Sequence, residues 1–238
     1  MSKENEKVYC DNWGKDSKKI DDAGLYDWME SLIHEYKNVL EIGCGCGYST
    51  VKLIEKGHNV ICIEAASENI KRTQDKIEKK FNKKVKMINE RVTETNCDVI
   101  AKKLSNEKID LVICWNPGGT AMYSLEKVRE IAYQFMLNGY RLEEKWEDFF
   151  NDYAEDMIRC ALKLGNFFNA DVNIVDRDCE IKNNFGIRND DVKKEFYMNV
   201  KKVSEESGPF CENTMSSYSP NVNNNKMYYN SFIAYNIR

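Results

Sequence analysis

The sequence lacks several features that would define its class at once. Its 238 residues include no apolar run of membrane-spanning length, and the formal net charge is −4, so positive charge is not in excess. There are only two histidines, and no two of the nine cysteines are spaced C-x-x-C. These absences argue against a membrane protein, a basic nucleic-acid-binding surface and a zinc site.

The cysteines and the beginning of the chain indicate the compartment. Most cysteines stand in apolar, strand-like runs, which favours reduced thiols, and the polar, charged first residues are unlike a secretion signal. We therefore expect a soluble cytoplasmic protein without a bound metal. With 42% hydrophobic residues, the chain can build one large α/β domain.

A short apolar run followed by a glycine-rich loop organises the sequence. Residues Asn38 to Ile42 are typical of a buried parallel strand, and a helical pattern begins at Tyr48. Between them glycine stands at alternate positions: Gly43, Gly45 and Gly47. Without side chains there, the backbone can turn tightly and a ligand can approach it closely. Strand, loop and helix predict the beginning of a doubly wound α/β sheet.

The spacing of the glycines distinguishes between two kinds of site. A dinucleotide fingerprint, G-x-G-x-x-G, would need glycine where Tyr48 stands, which argues against a nicotinamide oxidoreductase. The pattern E-x-G-x-G-x-G from Glu41 instead resembles the first motif of class I S-adenosylmethionine-dependent methyltransferases. The resemblance implies that the loop holds the methionine part of S-adenosylmethionine and that Glu41 interacts with its amino group. The residues it assigns to this contact are Glu41, Gly43, Cys44, Gly45 and Gly47.

Two further strands are expected to supply the adenosine site. The run Asn59 to Glu64 predicts a strand that ends in a carboxylate, which can accept hydrogen bonds from both ribose hydroxyls. The resemblance implies that Ala65 leaves room for adenine. After a third strand, Val85 to Ile88, it places an acidic residue near the adenine amino group. We assign Glu90, although a slip of one residue would give the role to Asn89.

The N-terminal segment carries two large aromatic residues in a polar setting. We predict a loop over residues 1–19 and a helix from Asp21 or Asp22 to about Tyr36. In many small methyltransferases an N-terminal segment folds over the cofactor, so residues 1–37 are expected to form a lid and helix. The residues expected to reach the cofactor from this lid are Tyr9 and Trp13. Alternatively, these two aromatics anchor the tail to the surface.

The end of the fourth strand, Ile109 to Cys114, is where this family binds the methyl acceptor. Asn116-Pro117 resembles the Asn-Pro-Pro-aromatic signature of enzymes that methylate amino or amide nitrogens, but Gly118 and Gly119 replace the second proline and the aromatic. The acceptor candidates are Asn116, Trp115 and Tyr123. The missing aromatic and the acidic net charge favour a small-molecule or peptide-like acceptor over nucleic acid. A plain Pro-Gly-Gly turn is the alternative.

The rest of the chain completes the expected architecture. Residues 117–144 read as an insertion whose helix, Ser124 to Leu137, either caps the acceptor pocket or simply adds aromatics to the core. We predict a mobile loop from Ser204 to Lys226. The other predicted elements are a helix at Glu143 to Leu164, a fifth strand at Asp171 to Val175 and strands at Tyr197 to Val203 and Met227 to Ile237. The resemblance implies one domain over residues 1–238, with seven mostly parallel strands, an antiparallel last strand and helices on both faces.

Methyl transfer makes modest chemical demands on a protein. The protein positions the acceptor lone pair and excludes water, and it needs a base only when the acceptor holds its proton tightly. The expected function is methyl transfer from S-adenosylmethionine to nitrogen or oxygen, with no histidine base. Two alternatives stay open: a sensor or partner subunit that binds S-adenosylmethionine without turnover, and a methyltransferase acting on nitrogen in nucleic acid or protein.

Overall fold

The fold is known from a computed structural model that describes residues 3–93, 95–116, 157–178, 202–212 and 226–235. The first part of the chain contains α1 (Lys3–Asp22), α2 (Leu25–Ser31), β1 (Asn38–Ile42), α3 (Tyr48–Glu55), β2 (Asn59–Glu64), α4 (Ser67–Phe81), β3 (Lys86–Asn89), α5 (Cys97–Lys103) and β4 (Leu111–Trp115). Helical residues 157–168, here α6, follow. The last strands are β5 (Asp171–Asp178), β6 (Lys202–Glu212) and β7 (Lys226–Tyr235).

The strands form one sheet in the order β3-β2-β1-β4-β5-β7-β6. Strands β1 to β5 pair in parallel, whereas β7 pairs antiparallel with both β5 and β6. The chain runs outward from β1 to β3 and then returns to place β4 on the other side of β1. This reversal confirms the predicted doubly wound α/β class, and it creates a switch point at the carboxyl ends of β1 and β4, where such sheets bind ligands.

Helices cover both faces of the sheet. Side chains along each strand alternate between the faces, so apolar residues are present on both. On β1, Leu40 and Ile42 join a core that includes residues of α5 and α6. Val39 faces the opposite way and joins a second core with residues of α1, α2, α3 and α4. Strands β1 and β4 are therefore buried on both sides, as their apolar sequences indicate.

The N-terminal prediction is wrong in its secondary structure. Residues 1–19 were expected to form a loop, but α1 is helical from Lys3 and carries a buried stripe at helical spacing: Cys10, Ser17 and Ile20, with half-buried Trp13. The single helix expected up to Tyr36 is also absent. Gly24, with φ of 72°, separates α1 from the short helix α2.

The beginning of α4 is capped from another helix and not by its own serine. Ser67 is the first helical residue, and no side chain caps the helix from position 66. The Glu6 carboxylate of α1 instead accepts hydrogen bonds from the Ser67 hydroxyl and the Glu68 N–H, both at 2.8 Å. Arg72 adds an ion pair to Asp11 of α1 at 2.7 Å. These contacts dock α1 on α4.

The C-terminal part differs most from expectation. The predicted loop Ser204 to Lys226 is wrong at both ends, because β6 extends to Glu212 and β7 begins at Lys226. Polar β6 is an edge strand, and its register shift between Ser207 and Phe210 contains Pro209, a residue that sheets accept at edges and bulges. Likewise, α6 continues past Leu164 to residue 168.

Several expectations fall outside the residues that the structure describes. They are Tyr123, the cap helix Ser124 to Leu137 and the first part of the helix predicted from Glu143. In the described part of the chain, no helix combines the length and apolarity needed to cross a membrane.

Candidate cofactor and acceptor site

A cleft opens where β1, β2 and β4 end, at the switch point of the sheet. It brings together nine residues that the sequence singles out: Tyr9, Trp13, Gly43, Gly45, Glu64, Ala65, Glu90, Trp115 and Asn116. They come from α1, from the ends of β1, β2 and β4 and from the residue after β3. One cleft therefore collects residues from four strand ends and a docked helix.

The first glycine of the loop faces open space in the cleft. Gly43 is exposed, its φ is 77°, and a Cβ built on it would meet no described heavy atom within 4 Å. Its N–H donates to the Ile63 carbonyl at 2.8 Å, which ties the loop to β2. A ligand can therefore lie directly against the backbone at Gly43.

Glu64 places a carboxylate at the floor of the cleft. The residue is buried at 7% exposure, and its two oxygens accept the N–H groups of Gly45 at 2.8 Å and Ala66 at 2.9 Å. Burial raises the pKa of the carboxyl above its usual 4.5, and these N–H groups oppose the shift. A carboxylate has about four acceptor positions, so positions remain for hydroxyl donors of a ligand.

The residues after β3 form the side of the cleft beyond Glu64. Asn89 donates from its side-chain amide to the carbonyls of Glu64 and Ala65, each at 3.0 Å. Glu90 is half-buried, lines the cleft and forms an ion pair with Lys103. Of these two residues, Glu90 is the better candidate for a contact with the adenine of a cofactor, because the Asn89 amide already braces the end of β2.

Three residues of the first motif lie behind the cleft. The Glu41 carboxylate, 2% exposed, accepts the hydroxyls of Ser49 and Thr50 at the beginning of α3. Cys44 is buried, and Gly47 packs against α4. Because Glu41 alternates with Leu40 and Ile42, its side chain points to the α3 face of the sheet and away from the cleft lining. Contacts of Glu41, Cys44 and Gly47 with a cofactor stay predictions.

The end of β4 presents a side-chain amide to the cleft. Asn116 adopts a left-handed φ of 54°, and its N–H donates to the Val175 carbonyl at 2.7 Å. Its side-chain oxygen Oδ1 is buried and has no hydrogen-bond partner among the described residues. Neighbouring Trp115 donates its indole N–H to Asn173 at 2.7 Å, which fixes the ring. This oxygen, which has no partner among the described residues, is thus a polar group that a second ligand could contact.

Six lining residues were not anticipated from the sequence: Ile42, Ile63, Arg91, Val92, Cys114 and Met157. Four of them stand next to anticipated residues and Val92 stands two positions after Glu90, so their chain position could have indicated them. Met157 had no local signal, because α6 is brought over the cleft only by its packing on the sheet.

The cleft fits S-adenosylmethionine in its chemistry. The open backbone at Gly43 would take a compact zwitterionic tail, and Glu64 would hold the ribose hydroxyls. Ala65 and the apolar strand ends Ile42 and Ile63 would contact the base and the apolar parts. The Asn116 side chain, whose Oδ1 has no partner among the described residues, lines the same cleft.

Comparisons with known proteins point the same way. Residues 39–134 match a family model described as a methyltransferase domain. No curated protein sequence matches this chain. The METTL16 methyltransferase domain with an N-terminal deletion is 16% identical, with a TM-score of 0.53, over 90% of this chain and 81% of its own.

Two further solved structures are similar to this chain. A human methyltransferase 10 domain containing protein is 14% identical, with a TM-score of 0.51, over 90% of this chain and 80% of its own. Magnesium protoporphyrin IX methyltransferase from Synechocystis, solved with bound S-adenosylmethionine, is 14% identical, with a TM-score of 0.45, over 91% and 79%. At such identities the likeness concerns the fold alone. Together with the family match, the two structures with TM-scores above 0.5 confirm the resemblance to class I methyltransferases.

Proposed function

We propose that this S-adenosylmethionine-dependent methyltransferase transfers the methyl group to a nitrogen or oxygen atom of a small-molecule or peptide-like acceptor. The observation that carries the proposal is Asn116. Its buried side-chain oxygen lacks a partner among the described residues, at the end of β4 and in the cofactor cleft. An unsatisfied buried carbonyl costs about 1–3 kcal/mol, which an acceptor N–H or O–H would recover.

The side chains would divide the work between cofactor and acceptor. When bound, S-adenosylmethionine supplies an electrophilic methyl group on a sulfonium. Glu64 would hold the ribose hydroxyls, Gly43 would let the methionine part lie on the backbone, and Glu90 would face the adenine amino group. Asn116 would accept a hydrogen bond from the acceptor and so orient its lone pair towards the methyl group, with Trp115 as an apolar wall.

Charge and loop composition support the acceptor class. The net charge of −4 offers little attraction for a phosphate backbone. Gly119 stands where enzymes with the related signature carry an aromatic residue, so the chain lacks that platform for a flipped base. A small or peptide-like acceptor needs neither feature.

We also infer that the N-terminal segment acts as part of the same domain, 1–238, and covers the cofactor. Tyr9 and Trp13 of α1 line the cleft, and α1 is docked on α4 through Glu6 and Arg72. The insertion 117–144, with Tyr123, would cover the acceptor. A lid on each side would exclude water from the transferred methyl group.

Asn116→Ala tests the proposal when binding and turnover are measured on the same protein. The matched control is Asn59→Ala, an exposed asparagine at the opposite end of its strand. S-adenosylhomocysteine affinity should be nearly unchanged in both variants. Turnover on a panel of amines, amides, alcohols, peptides and RNA should fall roughly 10-fold or more in Asn116→Ala alone, because an acceptor hydrogen bond is lost.

Each other outcome has a definite meaning. Equal loss of binding and turnover would place Asn116 on the cofactor. Full activity with normal binding would make residues 116–119 a plain turn. Turnover restricted to RNA would contradict the acceptor class, and cofactor binding without turnover on any acceptor would favour a sensor or partner subunit.

A further inference from the structure

Helix α4 presents a polar stripe to the back of the glycine loop. The stripe consists of Asn69, Thr73 and Lys76, which lie at positions i, i+4 and i+7 and therefore share one face of the helix. Asn69 and Thr73 are buried at 1% and 0% exposure, and Lys76 is half-buried. Polar side chains buried on a helix face need partners, and here the loop supplies them for the Asn69 amide oxygen, the Thr73 hydroxyl and the Lys76 ammonium.

The stripe hydrogen-bonds to two successive residues of the loop. The Thr73 hydroxyl donates to the Gly45 carbonyl at 2.9 Å, and the Lys76 ammonium donates to the Cys46 carbonyl at 2.7 Å. The Cys46 thiol in turn donates to the Asn69 amide oxygen at 3.2 Å. Lys76 also lies 4.1 Å from the ring centroid of Tyr48, which restrains its ammonium from a second side.

These bonds fix the orientation of two peptide groups beside the cofactor cleft. Because the C=O and N–H of a trans peptide point in opposite directions, the carbonyls of Gly45 and Cys46 face α4 and the following N–H groups face away from it. The Gly47 N–H closes the turn on the Cys44 carbonyl at 2.9 Å. Glycines at positive φ have many accessible conformations, so a loop of this composition needs external contacts to hold one.

We propose that Thr73 and Lys76 are positioning residues for the cofactor, although neither lines the cleft. They hold the loop in the conformation against which the methionine part rests, and so reduce the conformational entropy that binding would otherwise remove. The proposal rests on the cofactor site described above. It predicts an effect confined to ligands that contact the loop, because adenosine alone is held by Glu64 and the residues after β2 and β3.

Two variants and two controls test this role. Thr73→Val removes the hydroxyl but keeps the side-chain volume against Gly47, and Thr73→Ser restores the hydroxyl. Lys76→Met removes the ammonium, and Lys79→Met makes the same change at an exposed position of α4. Calorimetry would give the affinities for S-adenosylhomocysteine and for adenosine, and hydrogen exchange would report the loop amides.

Thr73→Val and Lys76→Met should each weaken S-adenosylhomocysteine binding roughly two- to tenfold, the equivalent of one hydrogen bond. Adenosine binding should not change, and the loop amides should exchange faster. Thr73→Ser and Lys79→Met should behave like the unaltered protein.

Parallel loss of adenosine and S-adenosylhomocysteine affinity would overturn the proposal, because it would indicate general damage to the fold. Unchanged affinity for both ligands would overturn it as well. Neither result bears on the acceptor side, which the Asn116→Ala experiment tests separately. Conversely, if the protein binds the cofactor but methylates no acceptor, the acceptor proposal is refuted and the proposal for Thr73 and Lys76 is unaffected.

Discussion

The three glycines of the loop should respond differently to the same substitution. All three have positive φ, 77° at Gly43, 51° at Gly45 and 82° at Gly47. Alanine in this left-handed region costs about 1–2 kcal/mol at each position. That strain is common to the series, so differences between Gly43→Ala, Gly45→Ala and Gly47→Ala report what surrounds each residue.

The surroundings range from open space to backbone. A Cβ at Gly43 meets no described heavy atom within 4 Å, whereas one at Gly45 lies 2.2 Å from Nε1 of Trp13. A Cβ at Gly47 lies 2.6 Å from the Thr73 side chain and 2.9 Å from its Cα. The Trp13 ring can move with its side chain, but Thr73 can withdraw its Cα only if α4 shifts.

The free energy of unfolding should follow this order. We expect Gly43→Ala to lose about 1–2 kcal/mol, the strain alone. Overpacking adds about 1–3 kcal/mol, so Gly45→Ala and Gly47→Ala should lose about 2–5 kcal/mol, with Gly47→Ala at the upper end. Urea unfolding followed by circular dichroism measures all three, and a constant slope with denaturant would show that the comparison is valid.

Cofactor binding should follow a different order from stability. Gly43→Ala directs a methyl group into the open part of the cleft, so it should lose S-adenosylhomocysteine binding while it remains folded. Equal destabilisation of the three variants would refute the steric argument. A folded Gly43→Ala protein with unchanged affinity would show that the ligand does not lie on this backbone.

Three further predictions address individual carboxylates. Glu64→Gln should weaken S-adenosylhomocysteine binding about tenfold or more, because an amide donor replaces one acceptor oxygen; unchanged affinity in a folded variant would contradict the ribose role. Burial raises the pKa of Glu41 above 4.5, so its contribution to the free energy of unfolding falls as pH rises from 4.5 through the folded-state pKa. The stability advantage of the unaltered protein over Glu41→Gln, measured by urea unfolding, should therefore decrease as pH rises above 4.5, and an increase would contradict the assigned cause. Glu6→Gln should speed hydrogen exchange in α1 but not in α5, because it removes a carboxylate from the N-terminus of α4; equal protection in α1 would mean that this contact does not hold the helix.

The local motif was predictable, because its signals lie within a few residues of each other. The apolar run and the glycines give β1, the loop and the beginning of α3, and β2 spans Asn59–Glu64 as predicted. In α1, by contrast, the stripe that docks on the domain contains only four positions, and one of them is Ser17. Tertiary contacts such as that of Glu6 with α4 stabilise α1, and no local sequence pattern predicts these contacts.

The site shows the same division between local and tertiary signals. The alternation of side chains along a strand could have predicted the orientation of Glu41. A residue between Leu40 and Ile42 must face the other side of the sheet, where the hydroxyls of α3 lie. Met157 illustrates the opposite case, since only the packing of α6 brings it to the cleft. The orphan oxygen of Asn116 also depends on three-dimensional burial, although its position after β4 was evident.

The order of the strands explains how one ligand can reach from the ribose site to the acceptor. Glu64 ends β2, Gly43 follows β1 and Asn116 follows β4, and these three strands are neighbours in the order β2-β1-β4. Adjacent strands lie about 4.8 Å apart, so the two outer residues are about 10 Å apart across the strand ends. Trp13 and Thr73 close the loop at Gly45 and Gly47, which leaves Gly43 as its open face. Under the proposed roles, a cofactor held by its ribose at Glu64 would cross the backbone at Gly43 and direct its reactive end towards Asn116.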